Sequence, residues 1–155
     1  MSVIVYDGDL IAADLMVNTG GSSWAANKLG WLDDYIFTAF GDQSNALKLI
    51  AQFREYKGPY IPQSKYFFTP YATMIYVDRT THNLYRYAQD GSIVDHGKHK
   101  AAFGTGKDFA YGALAVGANA TNAVKAALKY SPTCGIGVQT INVNTGAEWF
   151  DEYKV

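Results

Sequence analysis

The residue with the most chemical potential in this chain of 155 amino acids is the second. Methionine is commonly removed ahead of a small residue, and loss of Met1 would leave Ser2 with a hydroxyl and a free α-amine on one residue. An α-amine titrates near pH ~8, so near neutrality a useful fraction is unprotonated and can take the hydroxyl proton directly or through water. Such a nucleophile needs a nearby cation, which keeps the amine unprotonated and lowers the cost of the developing alkoxide. Lys28, expected on a neighbouring strand, is the candidate. A buried lysine in turn needs a carboxylate, which Asp14 could supply from the end of the first hairpin. An anionic tetrahedral intermediate also needs amide donors, and the turn at Gly41 could offer them because glycine lets backbone approach closely. Taken singly, each residue has a plainer reading. Serine after an initiator methionine is common, and a lone lysine or aspartate beside a strand is more often a surface charge.

Other reaction classes lose weight by inspection. The chain has no Gly-x-Ser-x-Gly elbow, no His-Glu-x-x-His and no Cys-x-x-Cys. Gly104-Thr105-Gly106-Lys107 hints at a phosphate loop, but Ala101 stands where its first glycine is required and Asp108 where the magnesium-binding hydroxyl belongs. His96-Gly97-Lys98-His99-Lys100 sets two imidazoles among cations that would repel a metal ion, so it reads as a solvated loop. Asp33-Asp34 reads as a turn former. Neither a metal nor an organic cofactor is expected. Cys134 is the single cysteine, read as a buried, inert thiol in a reducing compartment. Thirteen basic against fourteen acidic side chains leave a charge of -1, no field for polyphosphate, and nucleic acid is not an expected partner. No apolar run approaches the ~18 residues of a membrane span and the start does not read as an export signal, so the expected location is the cytoplasm.

The elements that must position these residues follow from pattern. With 48% hydrophobic and 17% charged residues the chain lies far from the disordered regime, and its length suits one domain over residues 1–155. Ser2–Tyr6 and Leu10–Asp14 flank Asp7-Gly8-Asp9, a hairpin signal. Asn18–Ser23 reads as a flexible stretch, followed by a second hairpin of Lys28–Leu32 and Tyr35–Phe40 around Asp33-Asp34. From Asp42, with Asp42 or Ser44 as cap, Ala46, Leu49, Ile50 and Phe53 fall at helical spacing. Tyr71–Val77 and Leu84–Tyr87 read as strands, the second ending at Asp90-Gly91. Ala101–Phe103 is a further strand, followed by a helix through Phe109, Ala110, Ala113 and Leu114. A last helix, capped by Thr121 and stopped by Pro132, buries Ala123, Val124, Ala127 and Leu128, and Gly137–Val143 alternates as a strand. Grouped strands and helices argue for mostly antiparallel sheets rather than regular βαβ alternation. Tyr56, Tyr60, Tyr66 and Tyr71, in the irregular middle, read as an interface in preference to core cover.

Read in order, several segments carry a resemblance. They are Met1–Tyr6, Ile11-Ala-Ala-Asp14, Asn27-Lys28-Leu29, Ala39-Phe-Gly41 ahead of the first helix, and Phe103-Gly-Thr-Gly106 ahead of the second. The chain resembles the proteasome β-subunit and HslV family of N-terminal-nucleophile hydrolases over most of its length, and more closely the short proteasome-like proteins of bacteria and phages. There the mature chain begins with Thr, and Ala-Ala-Asp or Ala-Gly-Asp, Lys-Lys-Val and Gly-Ser-Gly segments follow. The resemblance implies Ser2 as nucleophile, Asp14 and Lys28 as activating pair, Gly41 as oxyanion donor and Thr105 as the supporting hydroxyl. It also implies an α+β fold, a four-layer αββα sandwich of mostly antiparallel sheets, and assembly into rings or other homo-oligomers. A peptide or amide substrate, a possible ATPase unfoldase partner and, if phage-encoded, a bacterial host cytoplasm are part of the same implication. Two positions depart from the pattern. Serine replaces threonine, and Ser131-Pro-Thr-Cys134-Gly135 stands where the family often has an Asp and then a Ser-Gly pair, which leaves the supporting shell at Ser131 and Cys134 one carboxylate short. Three functions are therefore in play: a peptide hydrolase working through an acyl-enzyme on Ser2, a catalytically silent subunit with a structural role, and a small-molecule amidase.

Overall fold

The computed structural model describes residues 3–19, 22–88, 90–132 and 134–152. In chain order the elements are β1 (Val3–Tyr6), β2 (Leu10–Asp14), β3 (Met16–Thr19), β4 (Ser22–Ala25), β5 (Gly30–Trp31), β6 (Tyr35–Gly41) and α1 (Gln43–Glu55). After these come β7 (Ala72–Asp78), β8 (Leu84–Tyr87), β9 (Ile93–Gly97), β10 (Ala101–Gly104), α2 (Lys107–Ala115), α3 (Ala120–Tyr130), β11 (Gly137–Asn142) and β12 (Glu148–Glu152). Backbone contacts gather them into two compact units, one from Met1–Leu29 with Lys98–Val155, the other from Gly30–Gly97.

The first unit is built on a five-stranded antiparallel sheet in the order β10-β1-β2-β11-β12. Its founding hairpin forms because Asp7 Oδ1 accepts from the amides of Asp9 (2.9 Å) and Leu10 (2.7 Å), while Gly8 takes a left-handed φ of 100°. The other oxygen of Asp7 accepts from Ala120 N at 2.8 Å, so the turn also serves a free amide at the start of α3. Val3, Val5, Ala12 and Val138 pack with Ala110, Leu114, Ala123, Val124, Ala127 and Leu128, which seats α2 and α3 on the sheet. Burying such side chains is worth about 1.5–3 kcal/mol for each of the larger ones. The second unit holds a five-stranded antiparallel sheet in the order β5-β6-β7-β8-β9, with α1 packed on β6 and β7. Its core is aromatic: Phe37 stacks on Phe53 at 4.6 Å between centroids, beside Leu49, Met74, Tyr76 and Tyr87. Asp42 caps α1 through Asn45 N at 3.1 Å.

Several expectations are corrected. In the expected flexible stretch Asn18–Ser23, Asn18, Thr19, Ser22 and Ser23 instead belong to strands, since β3 and β4 pair from Met16↔Ala25 to Thr19↔Ser22, while Gly20 and Gly21 lie outside the described residues. Lys28 lies in irregular chain ahead of β5, not on a strand. His96 belongs to β9, paired with β8 across an irregular register, not to a solvated loop. Glu148–Glu152 forms an unforeseen edge strand on β11. The cap of α3 is Asn119, which accepts from Asn122 N at 2.9 Å, whereas Thr121 is buried in the helix with its hydroxyl 2.9 Å from that of Thr140. The tyrosines of the middle divide: Tyr60 and Tyr71 are 84% and 69% exposed, but Tyr66 stacks on Tyr87 at 4.6 Å and serves the core.

Candidate active site

Asp14 closes β2, where it pairs with Val138 of β11. Its carboxylate is fully buried, and among the described residues three donors converge on it. Lys28 Nζ donates to Oδ1 at 2.6 Å and the Val3 amide donates to the same oxygen at 3.0 Å, while the Gly135 amide reaches Oδ2 at 3.4 Å. The Lys28 side chain is 10% exposed. Burial pushes the Asp14 carboxyl up from its ordinary value, opposed by the Lys28 charge and by the hydrogen bonds it receives. Burial likewise draws the Lys28 ammonium below the usual lysine range, opposed first by Asp14 and more weakly by Cys134. The result is an ion pair that has lost most of its water and is held by backbone donors on the carboxylate side.

Lys28 has no strand of its own to hold it. The Gln139 side chain does so from β11: its Oε1 accepts from the amides of Lys28 and Leu29, each at 3.0 Å, and its Nε2 donates to Leu29 O at 3.1 Å. The same Nε2 donates to Glu148 Oε2 of β12 at 3.1 Å. Sequence reading saw Gln139 only as one face of a strand. The signal available there was a long amide side chain between the β-branched Val138 and Thr140, with no indication of its partner.

The remaining expected site residues are placed as follows. Ser2 lies outside the described residues, and its chain neighbour Val3 is tied to Asp14. Ser131 is the buried C-cap of α3, its amide bonded to Ala127 O at 2.8 Å, and its carbonyl accepts from Cys134 N at 3.4 Å. Cys134 is buried, with its sulfur against Gly106, where an added Cβ would lie 2.9 Å from it and 3.0 Å from Val3 Cβ. Thr105 is exposed in the turn between β10 and α2. Gly41 belongs to the second unit, at the end of β6, with a φ of 114° and a hypothetical Cβ 2.4 Å from Tyr71 O, so only glycine fits there. Asp14 and Lys28 are thus in direct contact, and Cys134 lies within electrostatic reach of Lys28. Among the described residues no three His, Cys, Asp or Glu side chains cluster as a metal site, and no helix is long and apolar enough to cross a membrane.

Among the described residues two five-stranded antiparallel sheets, a two-stranded one and three helices make an α+β fold, and comparison with solved structures shows that fold to be proteasome-like. The chain is similar to the bacterial proteasome homologue BPH of Thiobacillus denitrificans, at 17% identity and a TM-score of 0.66, over 99% of both chains. It is similar also to the same protein in complex with epoxomicin, at 16% identity and a TM-score of 0.62, again over 99% of both. No family model matches the sequence, and no curated protein does.

Proposed function

We propose that the chain is a proteasome-like amide-bond hydrolase that works on peptides through Ser2. In this reading removal of Met1 frees the α-amine, which takes the Ser2 hydroxyl proton as the oxygen attacks the scissile carbonyl. The amine then returns the proton to the departing nitrogen, and water hydrolyses the acyl-enzyme by the reverse sequence. Lys28 keeps the α-amine unprotonated and stabilises the alkoxide, Asp14 holds Lys28, and Gly41 lends the amide that receives the oxyanion, with Thr105, Ser131 and Cys134 in supporting positions. The observation that carries this reading is the buried Asp14 oxygen that receives both the Lys28 ammonium at 2.6 Å and the amide of Val3, the residue that follows Ser2 in the chain, at 3.0 Å. The proteasome-like fold supports it, as does the epoxomicin complex of BPH. Assembly into a ring or another homo-oligomer, a cytoplasmic location and an ATPase unfoldase partner belong to the same proposal.

Intact-mass spectrometry of the purified protein, with and without epoxomicin, tests it. The expected result is loss of one methionine and one inhibitor adduct on the N-terminal peptide, with the adduct gone in a folded Lys28→Ala variant. Retained methionine with no adduct would overturn the proposal and point to a silent, assembling subunit.

A further inference from the structure

We infer that Gln139 is a positioning residue for Lys28, a side-chain bracket that replaces the strand which Lys28 lacks. The inference rests on the hydrolase reading for its catalytic meaning, but its geometry stands apart from that reading. An amide side chain has two acceptor sites and two donor hydrogens, and all are used here. Oε1 takes the amides of Lys28 and Leu29, and Nε2 gives to Leu29 O and Glu148 Oε2, all at 3.0–3.1 Å. At 1% exposure Gln139 has no water to fall back on, so each lost bond would leave a buried polar group unpaired. Glu148 fixes which way the amide points: an ionised carboxylate only accepts, so the nitrogen must face it and the oxygen must face the two backbone amides.

Register ties this bracket to the ion pair. In the β2–β11 ladder Val138 stands opposite Asp14 and Gln139 opposite Ala13. Adjacent residues of β11 therefore pair with the Asp14 backbone and hold the Lys28 backbone. A lysine side chain is rich in rotamers and its stem can swing into water. Pinning its own N–H and the next residue's N–H and C=O limits that swing, and the ammonium stays where Asp14 Oδ1 receives it at 2.6 Å. Glu148 acts at one further remove, through Gln139.

The test is the titration of Lys28, followed by nuclear magnetic resonance of its terminal CH2–NH3 group and assigned with Lys28→Arg, in the parent chain, in Gln139→Met and in Gln139→Glu. Gln139→Met keeps length and removes every hydrogen bond. With the fold intact, the Lys28 midpoint should move toward that of a solvated lysine, and the rate of epoxomicin labelling should fall roughly tenfold or more, the scale on which outer partners of a site act. Gln139→Glu should behave like the parent only where the new side chain is protonated and again offers one acceptor and one donor. At higher pH its charge opposes both Glu148 and Leu29 O, and Lys28 should be released. A merely structural glutamine would lower the melting temperature in both variants and leave the Lys28 midpoint where it was, and that result overturns the inference. Should the parent itself fail to react with epoxomicin, the hydrolase reading fails, and the Lys28 titration still decides the role of Gln139.

Discussion

The Asp14–Lys28 pair lends itself to a double-mutant cycle whose size follows from its burial. Lys28→Met keeps the stem and removes the charge, leaving a fully buried carboxylate with, among the described residues, the amides of Val3 and Gly135. Breaking a buried pair from one side costs about 3–5 kcal/mol. The lower end applies here, about 3 kcal/mol, because two amides still neutralise part of the charge. Asp14→Asn keeps an acceptor near its place but strands an ammonium that is only 10% exposed. It should cost about 2–3 kcal/mol, since a flexible stem can partly regain water. The double variant leaves neither charge unpaired and should cost at least about 2 kcal/mol less than the sum. Urea unfolding of the four chains measures this, with equal m-values as the check that the same surface is exposed. Each single loss is tolerable against the ~5–15 kcal/mol typical of a folded domain. Single effects that add within about 0.5 kcal/mol would show that the two charges do not depend on each other, and the argument from burial would be wrong.

Other outcomes follow from the packing. Gly106→Ala should cost about 1–3 kcal/mol in chemical unfolding, because its Cβ would fall 2.9 Å from the Cys134 sulfur and 3.0 Å from Val3 Cβ, both in a filled core. Asn119→Ala should cost about 1 kcal/mol by the same assay through loss of the α3 cap, and Thr121→Ser should cost less because the hydroxyl that meets Thr140 remains. In the second unit burial pushes the Tyr35 and Tyr66 phenols up to about 12 and raises Tyr76 and Tyr87 as well. The folded state then holds more protons than the unfolded chain above pH ~10, so stability must fall as pH rises through that value. Ultraviolet titration should show these phenols ionising together with loss of aromatic circular dichroism. Independent ionisation with the fold retained would contradict their burial.

What pattern could reveal was local. The Asp7-Gly8-Asp9 hairpin, the α1 periodicity through Ala46, Leu49 and Phe53, and the placement of Asp14 at a strand end need only neighbours in sequence, and they appear as read. The cap of α3 was misassigned because Asn119 and Thr121 are both good capping types two residues apart, and burial against Thr140 decided between them. β12 escaped because Glu148–Glu152 is acidic and mostly exposed, and a strand of that kind is made by its partner β11 rather than by its own composition. Lys28 reads as a strand residue because an apolar run follows it, whereas its N–H donates to a side-chain oxygen of a residue more than a hundred positions away. No local window contains that information.

That distance bears on when the lysine can be set in place. Lys28 and Gln139 are 111 residues apart, and at ordinary rates of synthesis many seconds separate their appearance from the ribosome. A nascent chain that has made β1 and β2 already holds the carboxylate but not the bracket for the cation. The ion pair can be locked only after β11 zips onto β2, so the amino end stays unequipped until Gly137–Asn142 has been made.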